Sequence, residues 1–170
     1  MQHSKLLKTY HKAIIVLFCS AVLCGCMEKE THYLSFAPIH TDGWKVEDTF
    51  TFTADTLQAS TKMGIELLLH TENYRFANIG FHISIEQDSI ILYSDTIHTK
   101  LEESSPAKGI ARRCDYTIPI TNLALCDSTH TTIKVAHLMN EHTLKGVREI
   151  GIRIGSPVQH PGEVVWQVEW

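Results

Sequence analysis

The chain has no basic excess: 15 lysines and arginines stand against 19 aspartates and glutamates in 170 residues, a formal charge of −4. A surface that grips phosphate backbones needs such an excess, so nucleic acid is excluded as a partner. No apolar run is long enough to span a bilayer. The most apolar stretch, Ala13 to Leu23, holds eleven residues, about 16 Å of helix against a hydrocarbon core of about 30 Å. There is no G-x-S-x-G elbow, no S-x-x-K, no HExxH pair and no phosphate loop around Lys145-Gly146, so no nucleophile, zinc or nucleotide motif is present and no cofactor is expected. Internal repeats and low-complexity segments are also missing. What remains, 44% hydrophobic and 20% charged, is too apolar for a disordered chain and ordinary for one globular domain.

The N-terminus carries the first positive signal. Lys5, Lys8 and Lys12 precede the apolar run, and no acid occurs before Cys26. That order is the pattern of an export signal. Leu23-Cys24-Gly25-Cys26 then resembles the bacterial lipoprotein box, with leucine at −3, a small residue at −1 and a cysteine at +1. The chemistry needs the thiol, because sulfur takes the diacylglycerol before the peptide bond is cut. Cys19 and Cys24 lack the small preceding residue, so Cys26 is the expected lipid-attachment site; the alternative is ordinary cleavage near Ser20-Ala21. Several acyl chains hold a protein on a membrane durably where one does so only marginally. The expectation is residues 1–25 as signal peptide, 26–42 as a tether from the lipidated cysteine and 43–170 as one domain. That places the chain in the cell envelope, most simply at the outer membrane. Without the first 25 residues, 12 basic residues face 19 acidic ones, a charge of −7.

The domain reads as strands. Apolar residues alternate with polar ones at Trp44, Val46, Phe50 and Phe52, at Ile65, Leu67 and Leu69, and at Ile79, Phe81, Ile83 and Ile85, the period of a half-buried strand. Glu86 to Ser89 is expected to form a four-residue hairpin into Ile90-Ile91-Leu92-Tyr93. Further strands are expected near Ile97, over Cys114 to Ile120, at Ile133 to Val135, at Ile150 to Ile154 and over Val164 to Trp170. Asn140 to Gly146 could hold one helical turn with Asn140 as its cap. About eight short strands with little helix predict an antiparallel β-sandwich of jelly-roll type.

The reactive residue types form no constellation. Nine histidines follow Cys26 (His32, His40, His70, His82, His98, His130, His137, His142 and His160) at no metal-binding spacing, so no metal is expected. Glu47-Asp48 and Glu102-Glu103 are adjacent pairs, and neighbours on a strand point to opposite faces, which suits solvated charge rather than acid–base work. Cys114 and Cys126 are a candidate disulfide, since an envelope compartment permits one; two buried thiols are the alternative. Trp44, Trp166 and Trp170 share parity with apolar neighbours and are assigned to the core. Tyr74, in Glu72-Asn73-Tyr74-Arg75-Phe76, is the one ring left as a platform for a surface glycan. Two loops, Asn73 to Asn78 and Met139 to Gly146, are the expected contact surfaces, with Tyr74, Arg75, Asn78, Asn140 and Leu144 as candidates.

Two stretches resemble the gliding-motility lipoprotein family known as GldH. One is Ile65 to Ile85, IELLLHTENYRFANIGFHISI, in which a strand, a polar break with tyrosine and an Asn-Ile opening follow in turn. The other is Ile133 to Ile154, IKVAHLMNEHTLKGVREIGIRI, where Leu-Met ends a strand and Leu-x-Gly-Val leads to a strand containing Ile-Gly. The family's Arg-Asn pair is replaced here by His70-Thr71 with Asn73 later, its acid-Val/Ile-Gly appears as Glu149-Ile150-Gly151, and Leu101 to Cys114 lacks its Trp- and Gly-rich loop. The resemblance implies a non-enzymatic envelope lipoprotein associated with gliding or protein-secretion machinery. Its partners would be the membrane and other envelope proteins. A surface glycan-binding module is the alternative function.

Overall fold

The computed structural model describes residues 30–55, 57, 62–101, 113–126 and 130–159, with the backbone of 165–167. The signal segment and Cys26 lie outside the described residues. So do most of Leu101 to Cys114 and the side chains of Trp166 and Trp170.

Eleven strands run in chain order among the described residues: β1 (Thr31–Pro38), β2 (Trp44–Lys45), β3 (Phe50–Ala54), β4 (Met63–Glu72), β5 (Asn78–Gln87), β6 (Ile90–Lys100), β7 (Arg113–Leu123), β8 (Thr131–His137), β9 (Thr143–Leu144), β10 (Val147–Gly155) and β11 (Val165–Gln167). They pair antiparallel throughout. The first sheet has the order β1-β10-β4-β7-β11 and the second β3-β8-β5-β6, while β2 and β9 form a separate ribbon. Without the short β2, β9 and β11, β1-β10-β4-β7 over β3-β8-β5-β6 is the strand order of a jelly roll. The expected sandwich of that type is therefore the fold.

Alternation explains the core. Ile65, Leu67, Leu69, Ile118, Ile150, Ile152 and Ile154 line the inner face of the first sheet, and Ile79, Phe81, Ile83, Ile85, Ile133 and Val135 line that of the second, all buried. Gln87 closes one end of this core, donating to the Cys126 carbonyl at 3.2 Å and the Thr131 hydroxyl at 3.2 Å while its oxygen accepts from the Cys126 amide at 3.1 Å. On the second sheet's outer face, Lys134 and Glu86 pair at 2.9 Å, and His82 meets the Ser94 hydroxyl at 3.1 Å. Asp95 sits on the core side of the edge strand β6 yet is exposed, accepting from the Tyr93 hydroxyl at 3.2 Å.

Four local expectations are corrected. The stretch 31–38, expected as part of a tether, is β1, hydrogen-bonded along β10. It turns Leu34 and Phe36 outward and Tyr33, Ser35 and Ala37 inward, so its apolar residues mark the wrong face for a core pattern; Pro38 ends it, as an edge strand permits. The expected strand from Trp44 to Phe52 is split by a turn, in which the Asp48 carboxylate accepts from the Lys45 amide at 3.3 Å and its carbonyl from the Trp44 indole at 3.0 Å. Asn140 to Gly146 holds no helical turn, because Thr143 and Leu144 pair with Lys45 and Trp44. The hairpin after β5 has two loop residues, not four: Gln87 pairs with Ile90, and Asp88 and Ser89 both take positive φ, 49° and 69°, the geometry of a type I′ turn.

The topology sorts the connections into two ends. The start of β1, the β3–β4 connection, the Asp88-Ser89 turn, the β7–β8 connection and Ser156 lie together, since Thr31 pairs with Gly155, Gly64 with Gly155 and Asn122, and Ala54 and Gln87 with Thr131. We call this the entry end. The opposite end, the loop end, gathers residues 39–49, 73–77 and 138–146.

Candidate contact surface at the loop end

The loop end is built on Trp44 and His137. The ribbon of β2 and β9 lays Trp44 over His137, rings 5.2 Å apart and near-perpendicular, with Phe50 at 5.3 Å on another side. His137 Nε2 donates to the Trp44 carbonyl at 3.1 Å, which fixes the neutral tautomer with Nδ1 unprotonated; Nδ1 is buried without a hydrogen-bond partner. Burial lowers the pKa of this imidazole, partly opposed by the bond to Trp44 and by the nearby Asp48 carboxylate.

The two loops expected as contact surfaces lie side by side. Gly146 takes φ +89°, and a Cβ there would come within 2.7 Å of the Tyr74 α-carbon; its carbonyl accepts from the Glu72 amide at 2.8 Å. Further along, the Leu138 amide donates to the Gly80 carbonyl at 2.8 Å and the Gly80 amide meets Met139 Sδ at 3.3 Å. Glycine is required at 146 because any side chain would collide with backbone, not with a side chain free to move.

Within this pair of loops the candidates separate. Arg75, Asn78 and Asn140 are exposed. Tyr74 is half-buried, its hydroxyl donating to the Asn78 carbonyl at 3.0 Å and its ring edge-on to Phe76 at 5.6 Å. Burial raises its pKa, with Tyr116 adding a smaller push. Tyr74 is thus tied into its own loop as a brace. Leu144 is fully buried beneath the surface, facing the core. Cys114 opens β7, buried, while Cys126 lies exposed beyond the far end of that strand. At about 3.3 Å per residue the strand holds them about 30 Å apart, far outside disulfide range.

A second cluster, which spacing did not reveal, lies on the outer face of the first sheet. His70 Nδ1 meets Glu149 at 2.9 Å and its Nε2 faces Asp115 at 3.9 Å, while the ring stacks on Phe36 at 5.0 Å. Arg148 pairs with Glu72 at 2.7 Å and Arg153 with Glu66 at 2.5 Å. These residues come together through strand register: Glu149 and Asp115 flank His70 on neighbouring strands. The two carboxylates face different ring nitrogens, so they do not converge on one point as the ligands of an ion would. Among the described residues no group of three or more His, Cys, Asp or Glu is placed to hold a metal.

The structure therefore defines a jelly-roll sandwich with connections at both ends, two of them packed side by side at the loop end, and ion pairs across one sheet. The family model of the GldH lipoprotein matches residues 31–154, from the first residue of β1 almost to the last of β10, and the chain belongs to that family. It is accordingly an envelope lipoprotein of the gliding-motility type. No curated protein matches the chain. Among solved structures it is similar to dimeric latent PorU from Porphyromonas gingivalis, at 13% identity and TM-score 0.28 over 82% of this chain and 14% of that one. It is also similar to the VP2 subviral particle of infectious bursal disease virus, at 13% identity and TM-score 0.21 over 81% of this chain and 37% of that one. The Gt strain of the same virus gives 15% identity and TM-score 0.20, with coverages of 82% and 39%. The chain thus spans well under half the length of each, and none of the three likenesses bears on function.

Proposed function

We propose that the protein is a non-catalytic accessory component of an envelope assembly of the gliding or protein-secretion type, acting through its loop end. In this reading Cys26 carries the lipid and the chain enters the domain at Thr31. The observation that carries it is the close packing of two loops, 73–77 and 138–146, at one end of the sandwich. Arg75, Asn78 and Asn140 are exposed at the end opposite to that entry, held by contacts among backbone groups and braced by Tyr74. An anchor at one end and preorganised polar loops at the other suit capture of a membrane partner, because tethering raises the local concentration of the loops toward it and preformed loops lose little entropy on binding. The glycan alternative has no support beyond Tyr74, whose hydroxyl and ring are engaged within its own loop.

The test is a photo-reactive residue placed at Arg75 or Asn140 in intact cells, with the same residue at Ser94 on the second sheet as control. Recovery of secretion- or motility-type envelope proteins from the loop positions, and not from Ser94, supports the reading. Capture of bulk lipoproteins alone, or of glycan-uptake components, sinks it. In the same strain Cys26→Ala should move the protein from membranes to the soluble fraction; retention on membranes refutes the anchor.

A further inference from the structure

Three consecutive apolar residues open β6 in the open: Ile90 is 65% exposed, Ile91 63% and Leu92 39%. They follow the Asp88-Ser89 turn, and the register shift between Ile85 and Glu86 sets Ile91 opposite Glu86 and Ile90 opposite Gln87. Their neighbours on β5 are therefore polar, and adjacent side chains along a strand point to opposite faces, so this triplet is apolar on both faces of the strand. A core strand is apolar on one. Exposed runs of this kind mark a surface that something covers.

Their position says what. The triplet is at the entry end, where the chain comes into the domain at Thr31. Between Cys26 and Thr31 there are five residue steps, which reach at most about 18 Å even when fully extended. The ten residues of β5 alone run about 33 Å from one end to the other. A cysteine fixed to a bilayer by that short segment keeps the entry end against the lipid. β1 and β6 lie at opposite corners of that end, one at the edge of each sheet and on opposite flanks, separated by about three strand spacings of roughly 4.8 Å along the sheets and about 10 Å between them.

We propose that Ile90, Ile91 and Leu92 seat in the interface of the same bilayer that holds the lipid on Cys26, giving the domain a second membrane contact. This rests on the lipid-anchor reading above. Asp88 and Ser89 form the tip of this hairpin, so the sandwich leans toward its β6 flank, which lays the triplet in the interface with the polar turn at headgroup level beside it. With the tether at the β1 corner and the β6 flank on the membrane, the strands run oblique to the bilayer and the loop end points away from it.

The test uses the full lipidated chain in vesicles of phosphatidylethanolamine and phosphatidylglycerol, carrying Cys126→Ser and a single nitroxide at Ile91→Cys or, for comparison, at His98→Cys near the other end of β6. Flotation with the vesicles reads the anchor; collision with oxygen against a water-soluble nickel chelate reads the environment of the label. The expected result is flotation of both, with an oxygen-to-nickel ratio several-fold higher at position 91 than at 98. Flotation with equal nickel access at both positions overturns the second contact and leaves the anchor standing. Flotation with position 91 closed to both reagents shows that protein, not lipid, covers the triplet, and also overturns it. Failure to float overturns both readings.

Discussion

His137 couples the loop end to pH. Its Nε2 proton is committed to the Trp44 carbonyl, so a second proton must go to Nδ1, which is buried and makes no hydrogen bond. Burial accordingly lowers its folded pKa, whereas the unfolded chain keeps the ordinary value of about 6.5. A depressed histidine binds more protons in the unfolded state, so stability is full above about pH 6.5 and falls as pH drops through that value toward the lower folded pKa, at up to about 1.4 kcal/mol per unit of depression. Urea midpoints measured from about pH 7 to about pH 5 should decline, and His137→Gln, which keeps an amide donor for Trp44, should flatten the slope. An unchanged slope in that variant would assign the acid sensitivity elsewhere. None of this was visible in the sequence, where His137 is one of nine scattered histidines; its role depends on a ribbon partner 93 positions away.

Elements were legible in proportion to how far their pattern matched their burial. β4, β5, β8 and β10 show the alternation of a core-facing strand and were read directly from it. β1 was missed because its larger apolar residues face out; β2 was read as the start of one strand running on to Phe52, and β9 was missed because a two-residue ribbon has no periodicity of its own. The β5–β6 turn was placed correctly but given the wrong length. A type I′ turn ordinarily announces itself through Asn-Gly or Asp-Gly, and here both left-handed positions are filled by non-glycine residues, Asp88 and Ser89. That misfit makes a prediction: Ser89→Gly relieves the left-handed backbone and should raise stability by up to about 1 kcal/mol, measured as a higher thermal midpoint. A drop on substitution would mean that the serine side chain holds the turn. The candidate contact loops were found as separate loops. Their adjacency was not, because it comes from pairing at Gly146 and Gly80, far apart in the chain.

At the scale of the molecule, stability rests on two inner faces meeting in one core. Phe81 sits in the middle of β5, fully buried between the sheets. Phe81→Ala should cost about 3–5 kcal/mol, a large share of the 5–15 kcal/mol typical of a domain. The shift should appear in the denaturant midpoint with the slope unchanged. A cost below about 1 kcal/mol would mean that the sheets close readily around the void.

The open sheet edges bear on how such molecules share a membrane. Proteins confined to a plane meet one another often, and a long unpaired strand invites its own copy to join it. Two copies held by the same end on one membrane run β6, Ile90 to Lys100, in the same direction and at the same height, so a pairing along this edge would set each residue beside its own copy. The exposed carboxylate of Asp95 would then meet another Asp95, a repulsive cross-strand pair. A charge at mid-strand thus works against joining at this edge.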